Sequence, residues 1–263
     1  MFKDSNKFVG NRPKYLNRVY STKKIYEQYL PLDDLEIENI NKLERYKMVY
    51  TSNKLEGSSY SEAESDSLLD TGKPNSNKPI KDGIEIINLN RAIIYCNSYN
   101  GDINIDFIKF LHRIVTSGTL SDPRNEGEFK KVRNWVGDFN TSSPEAVNKH
   151  MSDLIDYYKQ NLGKLDPVLL ACRFKYRFLC IHPFIDGNGR TSRLLFNYIL
   201  QLHGFIPCIV DSDIRSEYID SLKESNKISK IDKFKCEPLE EFICNCLTKC
   251  YQRRIYMLEG DFE

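Results

Sequence analysis

The 263-residue chain contains no stretch near the ~20 consecutive apolar residues that a membrane-spanning helix needs. Its opening, MFKDSNKFVGNRPKYLNRVYSTKK, also lacks the apolar run of a signal peptide. A cytoplasmic location without a membrane partner is the expectation. An excess of charge of either sign is missing too: 38 Lys plus Arg face 37 Asp plus Glu, interspersed along the chain. That balance argues against a nucleic-acid binder and leaves proteins and small anions as partners. There is no CxxC pair among the eight cysteines, most of which sit in apolar, helix-like segments and read as buried reduced thiols. Cys236, Cys244, Cys246 and Cys250 lack the paired spacing of a structural zinc site. Strand-like alternation is scarce, and no internal repeat or low-complexity tract is present.

Helical periodicity is common instead. After an irregular start, Ile37, Ile40, Leu43, Tyr46, Val49 and Tyr50 recur at three- and four-residue spacing behind Asp33 and Asp34, which are capping candidates. The pattern predicts an amphipathic helix ending near Glu56 and Gly57. A shorter helix over 61–70 runs into the loop TGKPNSNKP, which places a boundary between an N-terminal helical region, 1–76, and a main domain, 77–263. Further helices are expected over about 81–99, 105–115, 145–160, 166–181, 190–203, 212–225 and 237–252. Between the second and third of these, the glycines and short segments of EGEFKKVRNWVGDF predict a β-hairpin flap over 128–140. The fold class is therefore all-α with one small hairpin.

One segment concentrates chemistry: IHPFIDGNGRTSRLL, residues 181–195. Leu170, Phe174, Phe178 and Ile181 form the apolar face of a helix that delivers His182 at its end, where Pro183 forces an exit. Leu195, Tyr198, Ile199 and Leu202 form the buried face of the next helix. The glycine loop between them leads into a helix N-terminus, where unpaired N–H groups and the positive dipole end favour an anion. Gly187 and Gly189 allow a close backbone approach, Asn188 carries an amide donor, and Arg190 and Arg193, three apart, offer forked donors for phosphate oxygens. Asp186 suits a hard cation such as Mg2+, which takes one or two carboxylates plus substrate phosphates. His182 is the candidate base.

The string HPFIDGNGRTSR resembles the signature of the Fic family at every specified position, and related features run from about residue 35 to 250. The resemblance implies the Fic helical core with its flap, and a protein adenylyltransferase that moves AMP from ATP to a Ser, Thr or Tyr hydroxyl of a protein, itself included. It implies His182 as base, Asp186 as Mg2+ ligand, Asn188 with the Gly187 and Gly189 amides at the α-phosphoryl group, and Arg190 and Arg193 at the outer phosphates. Thr191 and Ser192 complete the nucleotide loop. By the same resemblance the flap docks the target protein and lends Asn134, Trp135, Val136 and Gly137 to the nucleotide cleft, while Tyr218, Ile219 and Asn226 close over the base.

The stretch SNKLEG, residues 52–57, is similar to the family's inhibitory motif, a Ser or Thr followed after three residues by Glu and then Gly or Asn. It implies an autoinhibited class in which Ser52, Glu56 and Gly57 sit on an N-terminal inhibitory helix and Glu56 pairs with Arg193. Two alternatives stay open: removal of AMP, with Glu56 positioning water, and a nucleotide-sensing module without catalysis. A homo-oligomeric state is equally open, and the target and the trigger of release carry no signature in the chain.

Overall fold

The computed structural model describes residues 12–135, 141–231 and 234–260. They form α1 (Lys14–Tyr26), α2 (Asp34–Leu55), α3 (Glu62–Thr71), α4 (Ile80–Ser98), α5 (Ile105–Thr116), α6 (Pro144–Asn161), α7 (Pro167–Ile181), α8 (Asn188–Leu202), α9 (Arg215–Ile231) and α10 (Glu237–Glu259), with short 3-10 turns between some of them. Among the described residues there is no strand. The expected hairpin over 128–140 falls partly on residues 136–140, outside the described ones; its described part, 128–135, runs as bends and irregular backbone.

Local chemistry accounts for where the helices begin. Asp33 caps α2 in a reciprocal box: its carboxylate accepts from the Glu36 N–H at 2.8 Å while Glu36 accepts from the Asp33 N–H at 3.0 Å. Ser61 and Glu64 repeat the device at α3. Asp166 opens α7, accepting from the Val168 N–H at 3.0 Å, with Pro167 in the first turn, where no N–H is needed.

Helices α7 and α8 run through the centre. Phe174 and Phe178 of α7, Leu195 and Ile199 of α8, and Ile243 and Leu247 of α10 are fully buried in one apolar cluster. The glycine loop is thus held between two core helices, which fixes its position by packing. The expectation of an irregular start is corrected by α1, which lies along α10 and buries Leu16, Val19 and Tyr26. Its apolar stripe is one side chain wide, and only the facing α10 makes it a core element. Among the described residues no helix is long and apolar enough to cross a membrane.

Candidate active site

His182 caps the C-terminus of α7 in the left-handed conformation, φ 50° and ψ 60°, with its N–H donating to the Phe178 carbonyl at 2.9 Å. The turn breaks the helix and swings the imidazole away from the α7 axis. Its Nδ1 is buried, and the Leu179 backbone is a hydrogen-bonding neighbour of the ring. Burial, and then the nearby Lys130 ammonium, push its pKa down to about 4, so the ring is neutral at physiological pH. A neutral imidazole is what a proton acceptor requires.

The chain then turns through Asp186 and Gly187 into α8. Gly187 adopts φ 73°, and a Cβ there would meet the Thr116 methyl at 2.7 Å, so only glycine fits. No side chain caps α8, and its first amides remain open to an anion. Asn188 does not present its amide to that opening. Its Oδ1 accepts from the Phe184 N–H at 3.0 Å and its Nδ2 donates to the Phe184 carbonyl at 2.8 Å, pinning the loop on itself. Thr191 and Ser192 are buried, and Ser192 donates its hydroxyl to the Gly189 carbonyl at 2.8 Å.

The two arginines diverge. Arg190 is buried, with Nη1 3.0 Å from the Glu85 carboxylate and Nη2 4.0 Å from Asp186. Arg193 turns toward α2: its Nε donates to the Ser52 hydroxyl at 2.7 Å, and its Nη2 donates to the Ser52 carbonyl at 2.9 Å and to Glu56 Oε1 at 2.6 Å. Glu56 Oε1 lies directly over Gly189, where any Cβ would collide with it. Burial raises the Glu56 pKa, but Arg193 and then Arg190 outweigh it and hold the carboxyl below its ordinary range. Gly57, at φ 97°, ends the segment just beyond Glu56. An anionic oxygen of the protein's own therefore stands over the uncapped start of α8. Asp186 is exposed, accepts from the Gly187 N–H at 2.6 Å and has Lys81 at 3.8 Å.

Residues 102–200 match the family model described as the Fic/DOC family. The chain carries a Fic domain. It is 33% identical over 184 residues to the protein adenylyltransferase fic-1 of Caenorhabditis elegans, covering 68% of this chain and 36% of that protein. It is 30% identical over 202 residues to the protein adenylyltransferase Fic of Nematostella vectensis, covering 75% and 47%. The chain thus spans less than half the length of these relatives. A Fic domain containing signaling protein from Bacteroides thetaiotaomicron superposes with a TM-score of 0.84 at 26% identity, covering 95% of this chain and 100% of that one.

Other parts of the Fic domain brace the loop in ways the sequence did not disclose. His112 of α5 is fully buried, stacked on the Phe184 ring at 3.6 Å, with Nε2 2.9 Å from the Asp186 carbonyl. Its Nδ1 accepts from the Gly127 N–H at 2.9 Å, which leaves Nε2 as the donor and the ring neutral; burial takes its pKa down to about 4. Lys130 brackets His182, its N–H donating to the Pro183 carbonyl at 2.8 Å and its ammonium lying 3.5 Å from the Ile181 carbonyl. A lone histidine in an apolar helix and a lysine in a basic run carry no signal of such roles.

Asn134, expected in the nucleotide cleft, donates to the Phe184 carbonyl at 2.8 Å and so ties the flap segment to the loop. Trp135 is exposed. Val136 and Gly137 lie outside the described residues. On α9, Tyr218 is buried, with its ring 5.7 Å from that of Phe242, whereas Ile219 and Asn226 are half-buried.

Proposed function

We propose that this chain transfers AMP from ATP to a Ser, Thr or Tyr hydroxyl of a protein target, and that Glu56 holds it in a low-activity state. The observation that supports the transfer is the neutral His182 beside the uncapped N-terminus of α8. In this reading His182 takes the proton of the attacking hydroxyl. Oxygen bonds to the α-phosphorus, the bond to the β-phosphate bridge breaks, and pyrophosphate leaves with its electron pair. The Gly189 amide and the α8 dipole stabilise the negative charge that builds on the phosphoryl oxygens, while the Gly187 N–H is held by Asp186. Arg190 and Arg193 hold the outer phosphates.

Asp186 fits Mg2+, because an exposed carboxylate beside a phosphate site matches the donor set this ion prefers. Among the described residues no three His, Cys, Asp or Glu groups cluster to hold a metal alone, so the phosphates complete its ligands. Bound there, Mg2+ would neutralise phosphate charge.

The Arg193 fork supports the inhibitory role. Three of its five N–H donors are held by Ser52 and Glu56, and the Glu56 carboxylate repels a phosphate arriving at Gly189. The N-terminal region 1–76 thereby acts as a restraint on the catalytic region 77–263. Intact-protein mass spectrometry of Glu56→Gly with ATP and Mg2+ tests both parts. We expect the added mass of one AMP, absent in Glu56→Gly/His182→Ala and at least tenfold slower in the native chain. A phosphate-sized addition would contradict AMP transfer, and equal rates with and without Glu56 would contradict the restraint. Glu56 also acts electrostatically on His182, which favours a second reading, removal of AMP with Glu56 positioning water. Loss of AMP from a premodified chain carrying Glu56 would support it.

A further inference from the structure

On the core side of α8, under the inhibitory helix, lies a cavity of about 20 Å3. Ser52 and Leu55 of α2, Lys175 of α7, Arg190 and Phe196 of α8 and Ile243 of α10 border it. Arg193 also borders it; Arg190 and Arg193 are paired with Glu85 and Glu56, so Lys175 is the lining cation that has no carboxylate partner among the described residues.

Lys175 is 1% exposed. Its ammonium faces two aromatic rings, Tyr218 at 4.5 Å and Phe196 at 5.5 Å, and among the described residues it has neither an ion pair nor a hydrogen bond. Arg190 Nε is likewise buried without a partner. An interior charge left unpaired costs several kcal/mol, and a ring face supplies only part of that. A single water-sized species needs roughly 10–15 Å3, so the cavity holds one particle and excludes a phosphate chain.

We propose that this cavity binds one small monovalent anion, a halide, held by Lys175 with the Ser52 hydroxyl as a further donor. The Ser52 oxygen already accepts from Arg193, which leaves its proton free to be donated inward. The cavity shares Ser52, Arg190 and Arg193 with the site proposed for the nucleotide and its restraint, while Lys175, Phe196 and Ile243 belong to the core and not to the glycine loop. An anion there neutralises the charge under α2 and α8 and lets an ammonium stay buried.

The test uses the full chain and bromide, and needs no catalytic readout. Anomalous diffraction from bromide-soaked crystals should show one peak in this cavity, absent from Lys175→Met crystals. At fixed ionic strength, replacing gluconate by bromide should raise the melting temperature by about 3 °C or more per tenfold rise above the dissociation constant, and Lys175→Met should lose that dependence. A water or an empty cavity in the native crystal overturns the proposal. So does a melting shift that survives Lys175→Met, and so does a peak without any melting shift, which marks an adventitious ion only. Should Lys175→Met fail to fold, the native crystal still decides.

Discussion

At the scale of single residues, two histidines are neutral for related reasons. His182 and His112 both have pKa values pushed down to about 4 by burial, but they stand in different places: His182 at the mouth of the glycine loop and His112 in the core, with both its nitrogens in hydrogen bonds. For His182, in the proposed role of base, the consequence is an imidazole that stays unprotonated well below neutrality. In Glu56→Gly, the rate of auto-modification should hold level from pH 8 to 6 and fall only below about pH 5, as initial rates by mass spectrometry would show; an acid limb near 6.5 would contradict a buried, neutral ring. For His112 the consequence is stability. Its folded pKa lies below the unfolded value of ~6.5, so the unfolded chain takes up a proton first as pH falls, and stability is lost between pH ~6.5 and ~4. The depression corresponds to about 3 kcal/mol, and urea unfolding of His112→Gln should show a correspondingly shallower decline across that window. That His182, the glycines and the arginines share one loop was legible in the sequence, because two periodic apolar faces flank them. His112, Glu85 and Lys130 were not, because each acquires its role from a partner at least 50 positions away.

At the scale of elements, two of the ties that hold α2 to the body differ in kind. At its C-terminal end it meets Arg193, and Arg215 Nε donates to the Leu55 carbonyl at 2.9 Å. In its first half, buried Glu44 receives Arg254 of α10 in a fork with both distances at 2.6 Å, and Arg254 Nη1 donates to the Tyr26 hydroxyl of α1 at 3.0 Å. Glu44→Ala leaves that guanidinium unpaired in the interior and should destabilise the chain by about 3 kcal/mol, read as a lower urea midpoint. A double change of Glu44 and Arg254 to methionine should recover most of the loss. The periodic spacing of Ile37 to Tyr50 made α2 visible in advance, and the Asp33 cap located its start. Helix α1 escaped, since Leu16, Val19 and Tyr26 stand among lysines and arginines and form a stripe only when α10 is already in place.

For the whole molecule, the first and last helices close the fold on each other. Removing residues 1–26 would expose the α10 surface that Leu16, Val19 and Tyr26 cover, on the order of 5 kcal/mol of apolar burial. A chain starting at residue 27 should lose its cooperative thermal transition, measured by calorimetry. Arg193 has a longer reach than its position suggests. In the proposed restraint its guanidinium is a resource that the last turn of α2 and an incoming phosphate would compete for, and such competition is reciprocal: whatever affinity the phosphate loses to the helix, the helix loses to the phosphate. The amides of Glu56, Gly57 and Ser58, which donate to the Asn53 and Lys54 carbonyls at 3.0–3.1 Å, form that turn. Their hydrogen-exchange rates should therefore climb with ATP concentration, making three backbone protons an occupancy gauge for a site on another helix.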